Sequence, residues 1–146
     1  MQLKISSPAK TIFEGEIKEI ILPTEIGEVK ILPGHTPMVT VLKPGIINLI
    51  PTEKVSSNDF IVGRNNSVSL SIGKGMAFVD GKVVKVVISS ATTIPTESIK
   101  ELESKKLKIE EKIKSLRKSG SLEEIERSLI QLDKINADIR LKNLKD

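Results

Sequence analysis

The 146-residue chain has no cysteine, tryptophan or tyrosine, and only three phenylalanines and one histidine. Without cysteine there are no disulfides, thiolate nucleophiles or thiolate metal ligands, a composition that fits a reducing compartment. One histidine and five aspartates leave no cluster with metal-ligand spacing, so no metal site is expected. The same histidine, His35, lies in Pro33-Gly34-His35-Thr36-Pro37, a turn sequence poorly suited to placing a base beside a nucleophile. Aromatic residues at 2% supply almost no stacking platforms, and a net charge of +4 is far from a polybasic arm, so no nucleic-acid partner is expected. Apolar runs such as Ile20-Ile21-Leu22 fall far short of the roughly 18 residues of a membrane span. An alternating pattern begins at Leu3 and Ile5 with no basic and apolar leader ahead of it, so neither export nor organelle import is expected.

What is present divides sharply. All seven prolines, eight of nine glycines and all three phenylalanines lie in residues 1–95, whereas charged residues number 18 there and 24 in the last 51. The first part reads as short β-branched and apolar strands broken by turn signals, at 2–6, 16–22, 28–32, 38–42, 46–50, 60–62, 68–72, 76–79 and 83–89. Asp80-Gly81 predicts a type I′ hairpin and Asn65-Asn66 a second one. Beyond Pro95 the period changes to about three and a half. Ile99, Leu102, Ile109, Ile113 and Leu116 stripe a helix over 96–118, and Gly120 suits a left-handed residue after it. Ser121 and Glu124 match a capping box that opens a second helix, striped by Leu122, Ile125, Leu129, Leu132 and Ile139. The expected fold is therefore β + α: an antiparallel β-sandwich over 1–91, then an antiparallel two-helix hairpin over 92–146.

Gly73-Lys74-Gly75 lacks the rest of a phosphate-binding loop and joins two strands, so it reads as a bend. The segment Gly27-Glu28-Val29-Lys30-Ile31-Leu32-Pro33-Gly34-His35-Thr36-Pro37, followed by Leu42-Lys43-Pro44-Gly45, closely resembles the epsilon subunits of bacterial and chloroplast F-type ATP synthases. Phe13-Glu14-Gly15 and the Gly73-Lys74-Gly75-Met76 step are similar to that family too, and the resemblance covers nearly the whole chain. It implies a non-catalytic rotor subunit that grips the gamma subunit and the polar loops of the c-ring and couples proton flow to ATP synthesis. It implies that Glu28 faces those loops, with Pro33, Gly34 and His35 shaping the loop beside it. It also implies that the helical hairpin can extend toward the alpha and beta subunits and restrain ATP hydrolysis. Arg127, Lys134, Arg140, Lys142 and Lys145 would then be available to acidic groups of beta. The implied location is peripheral, on the cytoplasmic face of a bacterial membrane.

Two features depart from the family pattern. Where some relatives bind ATP through I/L-D-x-x-R-A, this chain has Ile99, Lys100, Glu103 and Ser104, with the acid and the arginine exchanged in sign. A carboxylate would face a phosphate, so no cofactor is expected. The segment 51–66 is longer than the family's usual connection and is expected to extend a sheet-edge hairpin. Other readings are a free-standing adaptor whose hairpin docks partner helices, an ATP-sensing regulator, and an independent enzyme, the last disfavoured by the missing catalytic groups.

Overall fold

The computed structural model describes residues 1–145, and the side chains of residues 1–144. Ten strands come first: β1 (Gln2–Ser6), β2 (Thr11–Thr24), β3 (Gly27–Ile31), β4 (Met38–Leu42), β5 (Gly45–Pro51), β6 (Ile61–Val62), β7 (Val68–Ile72), β8 (Gly75–Val79), β9 (Val83–Ile88) and β10 (Ala91–Thr92). Two helices follow, α1 (Ile99–Ser119) and α2 (Leu122–Lys145).

The long β2 makes a sandwich out of one continuous sheet. Its first half pairs with β1, from Gln2↔Glu16 to Ser6↔Thr11, and its second half pairs with β3 and β5. A register shift between Ile17 and Glu19 falls where β2 passes from one set of partners to the other, the bending and twisting expected of a bulge. One layer runs β1-β9-β8-β4 and the other β2-β5-β7, with β6 and β10 sharing the outer edge of β7. Pairing is antiparallel except between β1 and β9, which are parallel from Gln2↔Val83 to Ser6↔Val87.

Alternation fills the core. Ile17, Ile20 and Leu22 of β2 meet Leu3, Ile5, Leu42, Ile47, Leu49, Leu70, Ile72, Val84, Val86 and Ile88, all essentially without exposure. Each such side chain contributes about 1.5–3 kcal/mol through removal of apolar surface from water. The Gly73-Lys74-Gly75 bend lets β8 run tightly against β9, since a Cβ on Gly75 would collide with the Val87 carbonyl. The segment 51–66 folds back on the sandwich: Phe60 packs edge-on against Phe13 with centroids 6.0 Å apart, and β6 adds to the edge of β7. Asn65 and Asn66 both take positive φ (57° and 62°), the requirement of a type I′ turn.

Helix α1 starts later than the periodicity predicts, because the Ser98 hydroxyl caps it by accepting from Glu101 N–H at 3.1 Å. Gly120 is extended (φ −92°) rather than left-handed, and its N–H closes the helix on the Leu116 carbonyl. Ser121 caps α2 through Glu124 N–H at 3.2 Å, as its sequence signature implies. The hairpin is folded onto the sandwich, with α2 lying between α1 and the β5 and β7 strands.

That double packing moves the buried stripe of α2 away from the heptad reading. Leu122 is 71% exposed and Leu129 is exposed, whereas Ser128, Ala137 and Leu141 are fully buried. A helix pressed from two sides buries a wider arc than a two-helix seam, and small residues there permit close approach.

Candidate functional site

Outward-facing residues of β4, β8 and β9 should be polar if that face met only water. They are not. Val39 (62% exposed), Val41, Met76, Phe78, Val83 and Val87 all stand in solvent. Strand register places them side by side: Val39 opposite Phe78, Val41 opposite Met76, and Met76 opposite Val87. Met38, Val39, Phe78, Val79, Asp80, Val83 and Lys85 line a shallow groove of about 400 Å³ along this face. Contiguous exposed apolar surface of this kind marks a docking surface.

One end of the face is built from two interlocked loops. Gly34, at φ +84°, donates its N–H to the Gly81 carbonyl at 3.1 Å, and Gly81, at φ +96°, turns β8 into β9. Of the two central turn residues only Gly81 has positive φ, the pattern of a type II′ rather than the expected I′ turn. The Lys82 and Val83 N–H groups donate to Asp80 Oδ1 at 2.9 and 2.7 Å and hold its carboxyl below the usual value. His35 N–H donates to the Leu32 carbonyl at 3.1 Å, and its Nδ1 donates to the Thr36 carbonyl at 2.7 Å. Pro33, Gly34 and His35 thus form a rigid corner beside the apolar face.

Glu28 lies elsewhere. It is the second residue of β3, paired with Pro23, while the 33–37 loop leaves the other end of that strand. The structure therefore brings Pro33, Gly34 and His35 together but sets Glu28 apart, in an open groove of about 760 Å³ with Lys43, Asn48, Asp133 and Arg140 among its walls.

The cations of α2 differ in their surroundings. Arg127 pairs with Glu123 at 3.1 Å on the exposed side. Lys134 is mostly covered, donating to Thr92 Oγ1 at 3.0 Å and to Asp138 at 2.7 Å, and Asp138 also accepts from the buried Ser71 hydroxyl. This polar clamp ties α2 to β7 and β10. Arg140 faces the Glu28 groove, Lys142 is half-buried, and the Lys145 side chain lies outside the described residues. Ile99 is half-buried, while Lys100, Glu103 and Ser104 are exposed at the start of α1 and line neither groove.

Sequence reading alone misses the apolar face, although a signal exists. Val83-Val84-Lys85-Val86-Val87-Ile88 and Met76-Ala77-Phe78-Val79 are apolar at nearly every position instead of alternating, so one side of each strand lacks an internal reason to be apolar. Among the described residues no group of three or more His, Cys, Asp or Glu side chains could hold a metal ion, and no helix is long and apolar enough to cross a membrane.

The family model of the ATP synthase, Delta/Epsilon chain, beta-sandwich domain matches residues 1–94, which include all ten strands. The chain is similar to the ATP synthase epsilon chain of Prochlorococcus marinus (strain MIT 9515), at 29% identity over 137 residues covering 88% of this chain and 92% of that one. It is 36% identical over 63 residues to the ATP synthase epsilon chain of Bordetella parapertussis, covering 43% of this chain and 45% of the relative. The match thus spans less than half the length of that curated relative. Among solved structures it is similar to a chain of the Euglena gracilis mitochondrial ATP synthase, with TM-score 0.69, 20% identity, and 92% and 76% of the two chains covered. A chain of the Tetrahymena thermophila mitochondrial ATP synthase central stalk and c-ring gives TM-score 0.61 at 14% identity, covering 97% and 96%. At these identities the structural likeness is one of fold. With its whole sandwich matched by one family model, the chain belongs to the ATP synthase delta/epsilon chain family.

Proposed function

We propose that this chain is a non-catalytic rotor subunit of an F-type ATP synthase, seated in the central stalk and helping to couple proton translocation to ATP synthesis. The observation that carries the reading is the exposed apolar face of β4, β8 and β9, flanked by the interlocked 33–37 and 80–82 loops. The gamma subunit covers that face. Glu28, exposed at the start of β3, meets the polar loops of the c-ring. The chain reaches the membrane surface only through these partners, on the cytoplasmic face of a bacterial membrane.

The folded hairpin is then one of two states. Leaving the sandwich would uncover Ala137 and Leu141 and break the Lys134–Asp138–Ser71 clamp, losses that contact with gamma, alpha and beta can offset. In the extended state Arg127, Lys134, Arg140, Lys142 and Lys145 face acidic groups of beta and restrain ATP hydrolysis. No nucleotide belongs to this reading, since Lys100 and Glu103 carry the wrong charges for a phosphate site.

The test is to add the purified chain to the matching catalytic head, stripped of this subunit, and to follow binding and ATP hydrolysis. Binding with slowed hydrolysis supports both parts. Binding without slowing limits the role to coupling, and absence of binding overturns the reading.

A further inference from the structure

The apolar face carries one charge that the fold does not explain. Lys85 projects outward from β9 with Val83 and Val87 on either side of it along the strand and Phe78 opposite it on β8. Its fourth neighbour, Lys4 on β1, is another cation, itself between Lys85 and Glu14 in the register. Among the described residues none of the ion pairs involves Lys85 or Lys4. In the isolated chain this arrangement is cheap, because the Lys85 stem can lie along its apolar neighbours while the ammonium stays in water.

Covering the face changes that balance. An ammonium taken out of water without a partner costs far more than apolar contacts around it return. We infer that the surface of gamma that docks here is apolar and presents a carboxylate to Lys85, so that this cation reads the partner's charge and fixes the docking register. The inference rests on the gamma-binding reading and specifies the chemistry of the partner at that face. A neutral or basic counterpart would leave the Lys85 ammonium in a desolvated seam beside Lys4, with Glu14 a further strand away. The acid lies on the Lys4 side of Lys85, because its other three register neighbours, Val83, Val87 and Phe78, are apolar.

Binding of the full-length chain to the gamma-containing catalytic head lacking this subunit is measured for wild type, Lys85→Glu, Lys85→Met and, as a charge control elsewhere, Lys54→Glu. Thermal melts of each free chain check folding, which an exposed position should leave intact. Lys85→Glu is expected to weaken binding about a hundredfold or more, and Lys85→Met less but still about tenfold, since it leaves the partner's carboxylate unpaired. Lys54→Glu is expected to bind as wild type does. Reversing Asp and Glu residues of gamma to Lys one at a time should find one that restores Lys85→Glu. If wild type binds, Val39→Asp does not, and both Lys85 variants bind as tightly as wild type, the inference is overturned while the docking face stands. If wild type itself fails to bind, or self-associates through this face instead, the gamma-binding reading fails and the inference with it.

Discussion

At the scale of single residues, Asp80 joins the fold to the docking surface. Two backbone N–H groups bind the charged form of its carboxylate, so its folded pKa lies below the ordinary 3.8. The linkage sign follows: the stabilisation is present above pH 3.8 and is lost as pH falls through the folded value. Asp80→Ala should therefore melt at a lower temperature than wild type at pH 7, with the gap closing as pH drops below 3.8 in paired thermal melts. Gly34 and Gly81 act beside it, both at positive φ and bonded to each other. Gly81→Val should loosen the corner and cost about 1–3 kcal/mol, as a bulky residue forced into that backbone region does, read by chemical denaturation. The special role of this corner is legible in sequence, because Pro-Gly and Asp-Gly announce turns. That the two turns grip each other is not, because Gly34 and Gly81 are 47 positions apart and no local pattern records the contact.

Among the elements, strands were easier to read than helix packing. Strand positions are set by local alternation and turn chemistry, and each expected strand is present to within a few residues apart from β2. The long β2 begins at Thr11 rather than near residue 16, because its first half is needed to pair with β1. The short β10 depends on the edge of β7, a tertiary condition with no local signature. In α2 the heptad reading holds only in part for the same reason: Ile125, Leu132 and Ile139 are half-buried, whereas Leu122 and Leu129 are exposed and Ala137 and Ser128 are buried by neighbours that the helix's own periodicity does not specify. Asp138 is the anchor to probe. Asp138→Ala removes a carboxylate that accepts from both Ser71 and Lys134, and should weaken docking of α2 by about 1–3 kcal/mol. Amide exchange should then speed up along α2 while β5 and β7 keep their protection. In the β-layer, Gly75→Ala should cost about 1–3 kcal/mol by overpacking against the Val87 carbonyl, measured by urea unfolding.

For the whole molecule, the sandwich-then-hairpin order was legible because composition, proline and glycine placement and hydrophobic period all change near Pro95. The candidate site was only half legible. The 33–37 loop could be picked out from its residues, whereas the apolar face arises from three strands whose outward residues meet only after folding. Among the cations of α2, Lys134, which sequence offers as a partner contact, is held in this conformation by Thr92 and Asp138. On the proposed reading, gamma covers the β4, β8 and β9 face. Hydroxyl-radical footprinting of the chain alone and within the assembled ATP synthase tests it, since Met76 and Phe78 are oxidisable and stand 40% and 42% exposed. Oxidation of both should fall to background in the assembly. Unchanged oxidation of Met76 and Phe78 in an assembly that holds the chain stoichiometrically would contradict it.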